Sequence, residues 1–567
     1  MRRPFLLFAF ACAPADDRPA TTDSDPATDA TTDSAETDTQ PPTDSPSDDG
    51  TDEDPRPRVQ VTEGGVVTCA NPAARAEARF DRLSDPGGLD TERWDPQSRS
   101  LFAGGGAGVG DFDGDGILDL MLPTYEGLLY YKGSANLHFV DQSTWLPMTG
   151  GRVSSAIPVD IDDDGDLDVH ISNFQSPNQL FVNDGTGRFA DATALAGMAG
   201  APEGRTIASS WGDLDRDGDL DAFVAEYGAL GSAYDGDPSY LYINQGGGVF
   251  LDRSDMLTDA VQKAHTFTAN WDDLNLDGWP DLYFLNDFGW RHPNAVYLND
   301  QAGNLVELET EHGLDTRLES MGLAAADLNH DGLTDYAVTA WGAMRLYESA
   351  PGLTWFETSA VKGLRFNAEQ DNGRDVAWGS EFADLDNDTD DDLFVAFGFL
   401  NVGTDDPNPE EQPDALFEQQ PDGRFSQQAE SWGLANDLGR KRGFVIADLN
   451  RDGWLDLVRR DLRGPTMVDV ARCGENTWIG LQLRQPTQNR YAIGARVRVS
   501  SGPFRQTRVV RVGGTSYASA GPAELHFGLG SARVVDEVEI TWPDGQIDTL
   551  NAVTANQWVR VDRLEVE

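Results

Sequence analysis

Histidine, cysteine and positive charge are what this chain has least of. Seven histidines, three cysteines and 42 Lys and Arg residues stand against 97 Asp and Glu in 567 residues, for a net charge of −55. A surface of that sign repels phosphate backbones and anionic lipid, which argues against a nucleic-acid partner. His138, His170, His265, His292, His312, His330 and His526 are dispersed, with no H-x-x-x-H or H-E-x-x-H pair. Isolated histidines of this kind are usually structural or exposed. Cys12, Cys69 and Cys473 make no C-x-x-C spacing, so a zinc ribbon or thioredoxin motif is excluded. No G-x-S-x-G, P-loop or dinucleotide fingerprint stands in a strand-to-helix context. Carboxylate pairs abound, but without a distinctive glycosidase pattern. The chain reads as a binding protein and not an enzyme.

The N-terminus reads as a targeting segment. Arg2 and Arg3 precede a short apolar run that ends at Cys12, too short to span a bilayer. Residues 1–12 resemble a bacterial lipoprotein signal with Cys12 as the lipidated residue; an ordinary signal peptide with an incidental cysteine is the alternative. Either implies export to the cell surface or beyond, including the outer membrane of a bacterium. Residues 13–64 are rich in Thr, Asp, Ser and Pro. Such a stretch buries too little apolar surface to offset its ordering entropy, so an extended acidic linker is expected.

What the chain has in abundance is a repeat. An acidic motif begins at Asp111, Asp160, Asp213, Asp273, Asp327, Asp384 and Asp448, at intervals of 49 to 64 residues, the length of one four-stranded propeller blade. Each motif is followed by an apolar strand, then by a strand ending in a turn, as in Gln179-Leu-Phe-Val-Asn-Asp-Gly185. A closing strand follows, led by Phe139, Phe189, Phe250, Leu305, Phe356 or Phe425. A seventh copy, at Phe80, precedes the first acidic motif, and none follows the last. A ring in which the N-terminal strand completes the last blade is the economical solution, because closure removes exposed sheet edges. The expected fold is therefore all-β: a seven-bladed propeller over residues 65–473 and a smaller domain over 474–567, a second domain being suggested also by the rise in Lys and Arg from about residue 440. Ring closure makes Cys69 and Cys473 neighbours, and a disulfide is expected there in an exported protein, with two buried thiols as the alternative.

Asp111-Phe-Asp-Gly-Asp-Gly-Ile-Leu-Asp119 shows the chemistry. Acids at positions 1, 3, 5 and 9 of a tight loop can converge on a hard cation, with a carbonyl at position 7 and water completing the shell. Glycine at position 6 permits the turn. Oxygen-only donors at this density favour Ca²⁺ over Mg²⁺, up to seven ions in all. The ligand sets are Asp111, Asp113, Asp115 and Asp119; Asp160, Asp162, Asp164 and Asp168; Asp213, Asp215, Asp217 and Asp221. They continue with Asp273, Asn275, Asp277 and Asp281; Asp327, Asn329, Asp331 and Asp335; Asp384, Asp386, Asp388 and Asp392; Asp448, Asn450, Asp452 and Asp456. Asn at position 3 drops one charge, so those three loops should bind more weakly. The sixth loop carries Thr389 where the others carry Gly. Solvated Asp-Gly turns are the plain alternative, opposed by the repulsion among carboxylates gathered without a cation.

Residues 112–120 and their kin resemble the FG-GAP/VCBS repeats of integrin-type propellers. Asn489-Arg-Tyr-Ala-Ile-Gly-Ala-Arg-Val497, Leu525-His-Phe-Gly-Leu-Gly530 and Trp542-Pro-Asp-Gly545 resemble an ASPIC/UnbV domain. The pairing is similar to the cartilage acidic protein family over roughly residues 65 to 567. That resemblance implies a seven-bladed propeller with calcium in its loops, a small β-domain, an extracellular setting and no established reaction. Read alone, residues 475–567 alternate like the strands of a compact β-sandwich.

The expected function is a monomeric adhesion or interaction module with structural Ca²⁺, binding a protein or glycan on the cell surface or matrix. It touches a membrane only through a lipid anchor. Insertions at 226–239, 286–294 and 398–414 are candidate recognition loops. The rival is a calcium-dependent polysaccharide-binding or polysaccharide-active protein, with Trp290, Trp341 and Trp432 as candidate sugar platforms.

Overall fold

The structure is a computed structural model. It describes residues 58–69, 79–83, 89, 102–149, 151–229, 235–308, 312–342, 344–364, 375–399, 411–434 and 437–565. Cys12, the targeting segment and the linker up to residue 57 lie outside the described residues.

Seven four-stranded antiparallel sheets succeed one another along the chain. In sheet 2, Arg152–Val159, Asp168–Phe174, Gln179–Asn183 and Phe189–Asp191 pair in sequence order. The first two strands are buried almost throughout, whereas the fourth buries Phe189 and exposes the next two residues. That gradient is why the inner strands read as continuous apolar runs and the outer ones as a single aromatic followed by polar residues. The first strands of the sheets are Gly108–Gly110, Arg152–Val159, Thr206–Gly212, His265–Asp272, Ser320–Ala326, Ala377–Ala383 and Lys441–Ala447. They touch in cyclic order, the last against the first.

The N-terminal strand Phe80–Arg82 pairs with Met467–Ala471 and completes sheet 7. Cys69 and Cys473 form a disulfide across a separation of 404 residues. Cross-links over long loops stabilise by about 2–5 kcal/mol, chiefly by restricting the unfolded chain. One closing strand differs from the reading by a residue. In sheet 5, Trp355 pairs with Ser349 and is buried, while Phe356 is 58% exposed. Strand side chains alternate faces, so two adjacent aromatics cannot both face inward.

Neighbouring sheets are also stitched by side-chain amides. Asn183, Asn244 and Asn299 each donate Nδ2 to the position-2 carbonyl of the preceding sheet's acidic loop, on Phe112 (2.7 Å), Ile161 (3.2 Å) and Leu214 (2.7 Å). Gln419 does the same to Leu328 at 3.2 Å.

The C-terminal region forms two further four-stranded sheets. One contains Phe504–Val509, Arg496–Ser501, Val534–Thr541 and Ile547–Thr554. The other contains Thr477–Arg484, Leu525–Gly530, Gln557–Arg563 and, at its edge, Val59–Glu63. Residues 59–63 were expected in the linker and are a strand instead. Their largely exposed side chains bury little apolar area, and backbone pairing to an open edge holds them. Ile479, Val497, Phe527 and Val538 of the two sheets share one apolar core with Ile161 and Trp211 of sheets 2 and 3. Residues 512–520 run among the first strands of the ring. Val512 accepts from Trp211 N–H (3.1 Å), Ser516 donates to the Leu323 carbonyl (2.7 Å) and Ala520 accepts from Val109 N–H (3.0 Å). Tyr517 is buried there against Trp378 and Phe267.

Candidate metal centres

Each acidic loop joins the first strand of its sheet to the second, and its position-9 aspartate is the second strand's first residue. That aspartate is pinned by backbone. In loop 2, Asp168 Oδ2 accepts from Ile161 N–H (3.0 Å) and Oδ1 from Asn183 N–H (2.8 Å). In loop 7, Asp456 accepts from Leu449 (3.1 Å) and Ala471 (2.8 Å) in the same way. The position-1 aspartate accepts from the N–H at position 6, as Asp160 does from Gly165 (3.1 Å) and Asp448 from Gly453 (2.8 Å).

To make these bonds the chain turns through left-handed backbone at two positions. Position 6 has φ between 84° and 99° in all seven loops, including Thr389 at 95°. Position 4 is left-handed as well, and there only loop 1 uses glycine; Asp163, Arg216, Leu276, His330, Asn387 and Arg451 fill the rest. The sequence reading found the first requirement and missed the second, because side-chain chemistry at position 4 varies freely.

Four loops bring three carboxylates within 4.8 Å of one another. They are Asp111, Asp113 and Asp115; Asp160, Asp162 and Asp168; Asp213, Asp215 and Asp221; and Asp384, Asp386 and Asp388. Asp119, Asp164, Asp217 and Asp392, expected in the same sets, stand outside those triads. Among the described residues, the three loops with Asn at position 3 assemble no such triad. Asp273, Asp277 and Asp281, Asp327, Asp331 and Asp335, and Asp448, Asp452 and Asp456 therefore gather fewer carboxylates, with Asn275, Asn329 and Asn450 offering an amide oxygen in place of the third. In loops 4 and 7 the asparagine instead donates to position 5, Asn275 to Asp277 (3.0 Å) and Asn450 to Asp452 (3.3 Å). The Thr389 loop, the odd member by sequence, does assemble its triad.

The electrostatics of these loops favour a bound cation. Burial, reinforced by neighbouring carboxylates, raises Asp160 and Asp213 to about 7, and burial raises Asp168 to about 8. Asp384 is driven well above the carboxylate range by the same causes. Buried oxygens of Asp113, Asp160, Asp162, Asp213, Asp327 and Asp386 have no hydrogen-bond partner. Such oxygens are costly unless a proton or a cation meets them. Oxygen-only donors of this kind suit a hard divalent ion.

The C-terminal domain sits on this same end of the ring. Trp558 Nε1 donates to Asp448 (2.9 Å), Gln488 to Asp219 (3.1 Å) and Tyr491 to the Gly165 carbonyl (3.0 Å). Arg508 pairs with Asp391 and Arg511 with Asp272 (2.7 Å). The more basic composition beyond residue 440 thus meets the acidic loops.

The family of FG-GAP-like repeats matches residues 111–171, 160–224, 273–338 and 384–458, which contain all seven loops. The ASPIC and UnbV family matches residues 485–567. The chain carries FG-GAP-like repeats and an ASPIC and UnbV domain. It is distantly homologous to cartilage acidic protein 1 over most of its length. The mouse protein (Mus musculus) is 25% identical over 78% of this chain and 71% of its own, and the human protein (Homo sapiens) 25% over 79% and 70%. Among solved structures, an Agrocybe aegerita lectin that recognises non-reducing terminal N-acetylglucosamine aligns with TM-score 0.38 and 15% identity, covering 70% of this chain and 94% of the lectin. The rhamnogalacturonan lyase YesW aligns with TM-score 0.38 and 14% identity over 70% and 76%. Neither likeness is close enough to bear on function.

The remaining candidates divide by environment. Trp432 is buried against Phe80, and Trp341 packs on Phe399, so both belong to packing; Trp290 is 54% exposed. His170 is fully buried and held to about 3 by desolvation, a neutral ring in the core. His526, half-buried and lowered to about 4 chiefly by desolvation, contacts the Gly453 carbonyl of loop 7 at 3.0 Å. Parts of two proposed recognition loops, residues 230–234 and 400–410, lie outside the described residues.

Proposed function

We propose that the seven sheets are the blades of a seven-bladed propeller whose acidic loops hold structural Ca²⁺, and that the chain serves outside the cytoplasm as a monomeric interaction module, not as an enzyme. The observation that carries this is the gathering of three carboxylates in loops 2 and 3 around buried oxygens without partners. In loop 2 the ion would be held by Asp160, Asp162 and Asp168, and in loop 3 by Asp213, Asp215 and Asp221. Bound calcium supplies the charge that lets these carboxylates stay ionised; the protein supplies the geometry. A disulfide and loops of moderate charge both suit an oxidising, millimolar-calcium setting.

The repeat geometry also favours one end for a partner. The acidic loops join first to second strands, and the ASPIC and UnbV domain covers that end. The insertions at 226–239, 286–294 and 398–414 join second to third strands, at the opposite end. Arg291 of one insertion pairs with Asp235 of another, and Trp290 is exposed beside them. Thermal unfolding with and without a calcium chelator tests the reading: chelation is expected to lower the melting temperature by at least about 5 °C, several kcal/mol spread over the loops. An unchanged melting temperature would contradict it.

A second reading, calcium-dependent glycan binding, has one observation in its favour. A cleft of about 120 Å³ between loops 3 and 4 and the C-terminal domain is lined by Trp271, Trp279, Trp542, Pro280 and Pro543. A glycan array with and without chelator separates the two readings, since calcium-dependent sugar binding favours the second.

A further inference from the structure

The residue that distinguishes loop 1 lies outside it. In every sheet, the position-9 aspartate accepts from a backbone N–H on the third strand or just beyond it, from Gly133 in sheet 1 and from Asn183, Asn244 and Asn299 in sheets 2 to 4. Ser349, Gln419 and Ala471 do the same in sheets 5 to 7. That bond fixes a common register, and the residue just before the donor can be compared across the ring. It is Val182, Ile243, Leu298 and Val470 in sheets 2, 3, 4 and 7, and Glu348 and Glu418 in sheets 5 and 6. In sheet 1 it is Lys132.

The Lys132 ammonium reaches back into the loop. Its Nζ lies 2.8 Å from Asp115 Oδ2 and hydrogen-bonds Asp113 Oδ2. These are the carboxylates of positions 5 and 3, two of the three that a divalent ion would need in this loop. Among the described residues, no Lys or Arg nitrogen pairs with the triads of loops 2 and 3. In loop 6 Arg79 pairs with Asp386 alone of its triad and shares itself with Glu418. Among the described residues, loop 1 is thus the one triad in which a single protein cation bridges two candidate ligands.

We propose that Lys132 is a built-in cation that takes the place of the divalent ion in loop 1, so that this blade keeps its acidic corner without calcium. The inference rests on the reading that the other triads bind Ca²⁺. The physical case is competition. The ammonium and a calcium ion need the same two oxygens, and both cannot stand within a few ångströms of each other without strong repulsion. A tethered ammonium is present at high effective concentration, so it wins unless free calcium is high. Loop 1 should therefore bind calcium at least ~10-fold more weakly than loop 2, whose equivalent residue is Val182.

The test compares the full chain with its K132M variant, which keeps the length of the side chain and removes the charge. Two readouts are taken: calcium ions bound per chain after dialysis against about 0.1 mM Ca²⁺, and melting temperature in chelator and in millimolar calcium. K132M is expected to bind one more ion than the natural chain. It should melt lower than the natural chain in chelator and recover to at least the same temperature in calcium. An equal ion count, or equal destabilisation in both buffers, would overturn the proposal, the latter marking a merely structural lysine. K132Q repeats both readings if methionine disturbs the strand. If neither protein binds calcium at all, the calcium reading itself falls, an outcome distinct from equal, non-zero counts.

Discussion

Loops 2 and 7 share a motif and a backbone path, yet they differ in how their carboxylates are satisfied. In loop 7, Asp448 receives Asp452 N–H (3.0 Å), Gly453 N–H (2.8 Å) and the Trp558 indole (2.9 Å), and Asn450 bonds to Asp452. In loop 2, Asp160 receives Gly165 N–H, while Asp160 Oδ1 and Asp162 Oδ1 meet no donor. One oxygen-rich turn is nearly complete as a hydrogen-bonded corner tied to the C-terminal domain; the other is complete only with a cation. Part of the difference lies at position 3, where the Asn450 amide donates to Asp452 and a carboxylate cannot; the rest is the Asp452 N–H and the Trp558 indole on Asp448.

The largest effect should come from what the two loops have in common. Asp168→Ala and Asp456→Ala each strand two buried backbone N–H groups. Each is expected to cost about 2–4 kcal/mol in urea unfolding, with or without calcium for Asp456. A smaller loss at either position would mean that the second strand is not anchored there.

The next effect separates the loops by pH. Asp160 and Asp213 lie at about 7 and Asp168 at about 8 in the folded, calcium-free protein, against about 3.9 unfolded. The folded state therefore binds more protons. The stability these three groups give without calcium should be fully present below about pH 4 and be lost as pH rises through about 7 to 8. Saturating calcium should remove or reverse that slope, because it needs the ionised carboxylates. Melting temperatures in chelator at pH 5 and pH 8, expected to differ by several degrees, check the sign.

Asn450→Asp would make loop 7 resemble loop 2. It should destabilise by about 1 kcal/mol in chelator, through added repulsion, and regain that in millimolar calcium. The smallest effect is Thr389→Gly. It relieves a non-glycine residue at φ 95° and should stabilise by about 0.5–1 kcal/mol, read from the urea midpoint.

Much of this architecture is legible in the chain because periodicity reports it directly. The acidic motifs mark the sheets, the stray copy at Phe80 reveals the closing pair with Met467–Ala471, and the closure brings Cys69 to Cys473. Glycine at position 6 is legible because its backbone demand restricts residue type. Position 4 makes a similar demand but is filled by Asp, Arg, Leu, His and Asn, so composition hides it. The asparagines at 183, 244 and 299 recur visibly, and only their span to the preceding sheet shows what they do. Lys132, Val59–Glu63 and the passage of residues 512–520 through the ring depend on contacts hundreds of residues apart or on register, which local pattern does not carry. The Asn loops and the Thr389 loop stand apart in the sequence, but the burial and partners that further divide the seven do not show there.

Outside loop 1, where Lys132 meets two of the carboxylates, a carboxylate at position 3 is expected to give tighter calcium binding than an amide. The direct measurement is the number of calcium ions bound per chain at about 0.1 mM Ca²⁺ in the natural protein, in the double variant D160N and D162N, and in D448N. The loop 2 variant should lose one ion and D448N none. Loss of an ion from D448N, with no loss from the loop 2 variant, would contradict the division between the loops.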